Sequence, residues 1–530
     1  MKELDWLHPA AVQMETENGW EELSFHQGEW THGDVQLHLN GDGSEVRLSA
    51  EKTALKTILI RWKAELLPDT RIFGDAWERA YGDLCWQCIH DGKAIPWYGL
   101  LRDPQGLYGI GVATGPDAFD TWYFSDDYIL LLMDVSAGEQ GVLLNGREIV
   151  PARIVFRSAG ADASPFAFAQ AFAKAMCPHP ILPDHAVYGG NNWYYTYGAG
   201  SRADAIRDSC FIADMAQGIS NRPYMVLDDG WQLAGRHTNG APWVGNRDYG
   251  SMADVASEMQ AMGVRPGIWF RPMLTGERIP EEWIRWHTAN GQVLDPSRED
   301  VLEYIAGWTR SLSEAGYELI KHDYSTFDIW GQYGMGVKAY HPSARPEPFG
   351  DRSRTLAEII KRLYKVLSDN AGKAMLMGCN AISHLSAGYW AIQRTGGDTS
   401  GLCWERTRRM GINTLAMRMM QHERFYLCDA DCCAITPTSN AGETEKWLKL
   451  LSLSGTPLFV SVSAELARQG GWENRIAEAF RTAQDTAPAE PLDWLDTDSP
   501  KNWRKNGKTF RFDWYEAPML KYEQGDVWWR

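Results

Sequence analysis

Tyr317-Glu-Leu-Ile-Lys-His-Asp323 is a short apolar run that ends in a lysine and a carboxylate. It reads as a buried strand whose last residues emerge with polar side chains. A second stretch, Tyr389-Trp-Ala-Ile-Gln-Arg-Thr-Gly-Gly-Asp398, ends the same way, in an arginine, paired glycines and another carboxylate. A (β/α)8 barrel keeps its chemistry at the C-terminal ends of its strands. The two stretches therefore predict such a barrel, with Asp323 and Asp398 at its mouth.

Outward from them, over 187–461, short apolar runs alternate with helical segments, the rhythm of βα units. Strands are expected at 186–190, 224–228, 264–270, 318–322, 374–378, 390–394, 425–429 and 457–460. Helices are expected at 202–217, 252–262, 298–315, 354–367, 405–421 and 441–453, with Ser297 as the polar cap of the third. Two stretches without periodicity, 233–248 and 327–349, follow strand ends and would rim the mouth.

The flanks read differently. Over 1–180, runs such as Val35-Gln-Leu-His-Leu39 and Thr57-Ile-Leu-Ile-Arg-Trp62 alternate between turn residues such as Asn145-Gly146. That is the pattern of an all-β sandwich. Within it, Phe73-Gly-Asp-Ala-Trp-Glu-Arg79 is either rich in groups for sugar contact or an ordinary loop with a buried tryptophan. A short helix at 163–175 leads into Cys177-Pro-His-Pro-Ile-Leu-Pro183, whose three prolines mark a boundary. The expected layout is a β-sandwich over 1–180, a TIM barrel over 181–485 and a small β element over 486–530.

Composition narrows the function classes. A formal charge of −17, spread along the chain, argues against nucleic acid, which requires clustered positive charge. No apolar run approaches the length of a membrane span, and the N-terminus has no signal-like apolar region. Nine cysteines form no metal or disulfide framework: Cys85-Trp-Gln-Cys88 has the redox or half-zinc spacing but no matching second pair, and the odd count suggests reduced thiols and a cytoplasmic protein. The 25 tryptophans and 21 tyrosines fit either a well-filled core or an aromatic-lined cleft. No phosphate loop, dinucleotide fingerprint or nucleophile elbow is present, so no cofactor is expected.

The strand ends carry the chemistry. Asp323, held ionised by a nearby cation, is placed to act as a nucleophile. Lys321 shares its face of the strand, and either supports that role or forms a purely structural ion pair with it. His322 points the other way. Asp398 is the candidate acid/base, protonated by burial near another carboxylate, with Arg394 beside it. Asp228-Asp229-Gly230-Trp231 offers a hydroxyl clamp with a stacking ring, the competing reading being a divalent metal site. Asp429 and Asp431 fit a ligand role or a structural one.

In chain order these segments resemble the retaining α-galactosidases and α-N-acetylgalactosaminidases, the melibiases. Tyr224-Met-Val-Leu-Asp-Asp-Gly-Trp231 is similar to the family's aspartate-aspartate-glycine-tryptophan segment, and Gly263-Val-Arg-Pro-Gly-Ile-Trp-Phe270 to its third-strand segment. Lys321-His-Asp323 resembles the lysine-x-aspartate element, Gly378-Cys-Asn380 a cysteine-bearing fifth strand facing the pocket, and Arg394-Thr-Gly-Gly-Asp398 the acid/base element. The resemblance implies Asp323 as nucleophile and Asp398 as acid/base. It implies substrate contacts from Asp228, Asp229, Lys321, Cys379, Asn380 and Arg394, with Trp193, Trp231 and Trp269 as apolar walls. His322 stands where the family usually has an aromatic or apolar residue, which leaves the sugar's 2-substituent open. The expected function is retaining hydrolysis of terminal α-linked galactose-type residues of an oligosaccharide or glycoside. Alternatives are an α-N-acetylgalactosaminidase, a transglycosylase, an inactive carbohydrate-binding protein and a metal-dependent hydrolase. No nucleic-acid or membrane partner is expected, and the chain could form a homo-oligomer.

Overall fold

All eight apolar runs form strands, and they pair in parallel into one sheet. The computed structural model describes residues 4–89, 93–233, 240–331 and 344–516. Parts of the stretches 1–180, 233–248, 327–349 and 486–530 lie outside the described residues. The parallel strands are β1 (Tyr188–Asn191), β2 (Tyr224–Leu227), β3 (Arg265–Phe270), β4 (Leu319–His322), β5 (Met375–Gly378), β6 (Ile392–Arg394), β7 (Leu427–Asp429), β8 (Cys433–Ala434) and β9 (Leu458–Ser461). Neighbours run β7-β6-β5-β4-β3-β2-β1-β9-β8. The two ends of this order, β7 and β8, are separated only by Ala430, Asp431 and Cys432.

Both faces of the sheet are covered, so these strands are rich in apolar residues; β2 (Tyr-Met-Val-Leu) is buried at all four positions, and polar residues gather at the C-terminal ends of β4 and β6. Gly189 lets β1 approach β2: a Cβ there would lie 1.8 Å from the Tyr224 carbonyl oxygen, and its φ is +152°. Several outer helices start at side-chain caps. Ser201 accepts from Asp204 N at the start of Arg202–Met215. Ser251 does so for Met252–Ala261. Thr355 and Glu358 form a capping box on Leu356–Asn370.

Four expectations are corrected. The cap of helix Glu299–Glu314 is Arg298, not Ser297, whose hydroxyl instead accepts from Asp351 N. The single helix expected at 405–421 is broken into Trp404–Thr407, a π-helical turn Arg408–Asn413 and Thr414–Arg418. There Gly411 sits where a Cβ would meet the Trp447 ring at 2.8 Å, and Thr414 Oγ1 bonds the Met410 carbonyl. Residues 327–330, expected to be irregular, belong to helix Ser325–Trp330. After β3, an antiparallel sheet of Leu274–Thr275, Ile284–Thr288 and Gly291–Leu294 was not anticipated, because its runs are short and lack clean alternation.

The N-terminal region is two antiparallel sheets of seven and nine strands. Alternation dictates their faces: Val35, Leu37 and Leu39 are buried while Gln36 and His38 are exposed. Trp6 packs on Trp62 of the first sheet and on Phe156 of the second, tying the two together. Helix Pro165–Met176, capped by Ser164, follows. At the C-terminal side, Glu490–Pro491, Asn502–Lys505 and Lys508–Arg511 form a three-stranded sheet, beside which the Phe512 and Trp514 rings stack.

Among the described residues, three histidines lie fully buried in this scaffold. His322 packs on Trp390 at 4.5 Å, His384 stacks on Trp97 at 4.9 Å, and His422 accepts from Cys428 N at 3.1 Å. Burial lowers their pKa values to about 4, about 4 and about 3. The unfolded chain takes up these protons near pH 6.5, so their contribution to stability is complete above that pH. It is lost as pH falls toward 4, about 3 kcal/mol per ring. His384→Gln, which keeps a donor for the Val112 carbonyl, should therefore lose less stability than the wild type between pH 7 and 4.5 in denaturant titrations. Parallel losses in the two proteins would contradict this.

Candidate active site

The ends of β2, β4, β5, β6 and β7 bring six carboxylates and several cations together. Asp228 follows β2 and is buried; its Oδ2 accepts from Lys321 Nζ and from Asn191 Nδ2, both at 2.7 Å. Asn192 Oδ1 takes the Asp228 N–H at 2.8 Å. The ion pair of Lys321 is thus made with Asp228, not with Asp323 as the strand periodicity suggested. β4 ends at His322 and the chain turns before Asp323. Burial would lower the Lys321 pKa, but Asp228, then Cys379 and Asp323, hold it well above the ordinary value. Asp229 binds Gln232 Nε2 at 2.5 Å, and burial pushes its pKa up to about 7.

Asp323 is half-buried, and both its oxygens are oriented. Oδ1 accepts from Tyr324 N at 2.7 Å and Oδ2 from Trp269 Nε1 at 3.3 Å. Tyr324 holds a left-handed backbone, φ +66°. Its ring is clamped by the Arg271 guanidinium at 4.1 Å, and Arg271 itself forms a buried ion pair with Asp328.

Asp398 is reached through Gly396 and Gly397. A Cβ on Gly396 would lie 2.0 Å from the Met410 carbonyl oxygen, so glycine is required for this close passage. Asp398 Oδ1 accepts from Arg394 Nη2 at 3.1 Å and lies 3.6 Å from Arg79 Nη1. Burial near another carboxylate was expected to keep it protonated. Burial does push its pKa up, but Arg394, Arg79, Arg406 and Lys321 more than offset this and hold it below the ordinary value. Arg394 is braced from behind: Asp431 Oδ2 pairs with it at 2.6 Å and also accepts from Thr399 N at 2.8 Å. Tyr194 OH donates to the same oxygen. Asp431 therefore serves the architecture of the Asp398 loop. Asp429, buried beside it, has its pKa pushed up to about 6 by burial.

Cys379 is buried, and its Sγ accepts from Arg394 Nη1 at 3.5 Å and Arg79 Nη1 at 3.8 Å. Two of the expected contacts differ. The Asn380 amide is engaged by the protein at both ends, by Glu78 Oε2 at 2.8 Å and Phe327 N at 3.0 Å. Trp231 offers no open ring face: it is fully buried, donates Nε1–H to the Trp269 carbonyl and packs on Trp243. Trp269 is the tryptophan that touches Asp323, and Trp193 is half-buried against Tyr197. Among the described residues no group of three His, Cys, Asp or Glu side chains is placed to hold a metal ion.

Glu78 and Arg79 received no individual role from sequence. They belong to the stretch 73–79 of the N-terminal region, which reaches into the strand ends. Ala80 N donates to the Thr395 carbonyl at 2.8 Å, and Gly397 N to the Ala80 carbonyl at 3.0 Å. Glu78 accepts from Thr326 Oγ1 and Asn380 Nδ2. One segment thus binds both the loop after Asp323 and the loop carrying Asp398. The signal was the density of charged and aromatic groups in a region otherwise patterned as strands.

No family model and no curated protein matches this sequence. Solved structures do match. An α-galactosidase from Thermus thermophilus, in complex with p-nitrophenyl α-D-galactopyranoside, aligns with TM-score 0.58 and 18% identity. It covers 95% of this chain and 99% of that one. A GH36 α-galactosidase from Geobacillus stearothermophilus aligns with TM-score 0.60 and 13% identity, over 93% of this chain and 79% of that one. The α-galactosidase from Lactobacillus brevis gives TM-score 0.56 and 12% identity, over 93% and 76%. The chain shares its fold with the melibiase-type α-galactosidases.

Proposed function

We propose that this chain is a retaining glycoside hydrolase that cleaves terminal α-linked galactose-type residues from oligosaccharides or glycosides. One observation carries the reading: in a fold shared with α-galactosidases, Asp323 and Asp398 stand at the ends of β4 and β6 around one cluster of Lys321, Cys379 and Arg394. Asp323 attacks the anomeric carbon, its two oxygens aimed by Tyr324 N–H and the Trp269 indole. Asp398 delivers a proton to the leaving oxygen and then takes one from water. Asp228, Asp229, Lys321 and Arg394 bind sugar hydroxyls, and Trp193 and Trp269 supply apolar walls.

The sheet whose ends meet at Ala430–Cys432 supports a closed (β/α)8 barrel, with a sandwich over 1–180, the barrel over 181–485 and a β element over 486–530. Nine unpaired thiols support a cytoplasmic location; no described helix is long and apolar enough to cross a membrane. Homo-oligomer formation stays part of the proposal. A transglycosylase or an α-N-acetylgalactosaminidase would use the same pair of carboxylates. A carbohydrate-binding protein without turnover would not need them.

The test is a panel of aryl α-galactoside, α-N-acetylgalactosaminide, α-glucoside and β-L-arabinopyranoside, with the first product anomer identified by NMR. Turnover of a galacto-configured substrate with the α-anomer released first is expected. An inverted first product would sink the retaining mechanism, and a preference for the glucoside would sink the sugar assignment.

A further inference from the structure

Arg79 is a buried cation with too few anions. Its side chain is 8% exposed, and among the described residues its only carboxylate within ion-pair reach is Asp398, at 3.6 Å, too long for a hydrogen bond. Its remaining contacts are the Tyr81 hydroxyl at 3.3 Å, the Tyr81 ring at 5.9 Å and the Cys379 sulfur at 3.8 Å. Arg394 converges on the same sulfur and the same Asp398 oxygen, at 3.5 and 3.1 Å, but has Asp431 as a second partner. Two guanidiniums therefore crowd one thiol and one carboxylate oxygen.

The other groups around Asp398 do not relieve this. Lys321 from β4 and Arg406 from helix Trp404–Thr407 add positive charge. Tyr194 and Tyr197, from the segment after β1, are neutral phenols. Glu78, next to Arg79, is buried with its pKa pushed up, and its oxygens are engaged by Tyr81, Thr326 and Asn380. For the proposed chemistry Asp398 must hold a proton, to be passed to the leaving oxygen. In that state Arg79 loses its one carboxylate within ion-pair reach and keeps only the longer-range field of Glu78. A desolvated guanidinium left with a phenol and a thiol as its close partners is disfavoured, so the working protonation state of this site favours a ligand that brings a negative charge to Arg79.

We propose that the substrate carries an anionic substituent, a carboxylate or a sulfate, which Arg79 receives beside Asp398. The inference rests on the hydrolase reading and names its substrate class: an acidic galacto-configured glycoside. A guanidinium meets either oxyanion through paired N–H donors. The substrate's charge then replaces that of Asp398 as the close anionic partner of Arg79, and protonation of Asp398 no longer leaves that guanidinium without a carboxylate or sulfate in reach.

The experiment compares kcat/KM for nitrophenyl α-galactoside with nitrophenyl α-galacturonide, the 6-sulfated nitrophenyl α-galactoside and carboxyphenyl α-galactoside. The last places the charge on the leaving group. At least one anionic substrate should exceed the neutral one by about 30-fold, the worth of a charge-assisted hydrogen bond. Arg79→Gln should bring that ratio down to about 1, and Arg79→Lys should retain part of it. Calorimetric binding of galacturonate against galactose gives a second readout that needs no turnover and no variant. A neutral galactoside hydrolysed, dependent on Asp323, as fast as every anionic one overturns this inference and leaves the hydrolase reading standing. So does a preference that survives in folded Arg79→Gln. A chain inert toward all four glycosides that still prefers galacturonate keeps the anion subsite and sinks the hydrolase reading. Inertness without that preference overturns both.

Discussion

Asp323→Ala should lower kcat/KM toward its best α-galacto-configured substrate by about 10⁴-fold or more, the loss typical of removing a nucleophile. Added azide should then restore turnover and release a glycosyl azide of inverted configuration, because a small anion fills the space of the missing carboxylate. The size of the effect follows from how completely that carboxylate is oriented. Tyr324 N–H and the Trp269 indole fix its two oxygens, and the Arg271–Asp328 pair holds Tyr324 in its left-handed turn. Alanine removes the attacking atom but leaves the binding groups of β2, β4 and β6 in place, so KM for the substrate should change far less than kcat. Undiminished activity would assign the covalent step to another residue.

Arg418→Ala should destabilise the fold by about 3–5 kcal/mol, the loss expected when one partner of a buried ion pair is removed. Arg418 is fully buried on the broken helical segment after β6, and its Nε pairs with Asp75 Oδ1 at 2.8 Å. Its other nitrogens donate to the carbonyls of Thr395 and Glu78. Alanine leaves the Asp75 carboxylate buried with only Gln421, among the described residues, to bind it, and frees both the segment 73–80 and the Asp398 loop. Urea titration measures the first effect. The second predicts that kcat falls at temperatures where the variant is still folded. Replacing both partners, Asp75→Leu with Arg418→Met, should recover part of the stability but not the activity. A single variant within 1 kcal/mol of the wild type would show that the pair contributes little.

What was legible in the sequence follows from how local each signal is. The parallel strands were readable because a strand covered on both faces is apolar at every position, as in β2 and β5. The outer helices were readable from their apolar periodicity and from caps such as Ser201 and Thr355. The strand-end carboxylates followed from their position after those runs. Partnership was not readable. Lys321 and Asp323 are two residues apart, yet the lysine pairs with Asp228, because the chain turns after His322 and the neighbouring strands deliver Asp228 instead. The charge state expected of Asp398 assumed a carboxylate neighbour, whereas the third dimension supplies arginines from β6, from a helix and from the N-terminal region. Trp231 looked like a platform because it follows two aspartates, but its ring is fully buried against Trp243. Such contacts join residues from 4 to over 300 positions apart, and no periodicity encodes them.

The paired backbone of Ala80 with Gly396 and Gly397 has a bearing on how proteins of this architecture diversify. A recombination event that exchanged the N-terminal region for that of another lineage would not transplant an inert appendage. It would import a new tenant for the corner of the pocket that Arg79 now occupies, together with the main-chain ladder that registers it. If Arg79 helps select the substrate as proposed, ancestry of the front segment and choice of substrate are inherited together, and a phylogeny built from the parallel-sheet region alone would group chains whose substrates differ.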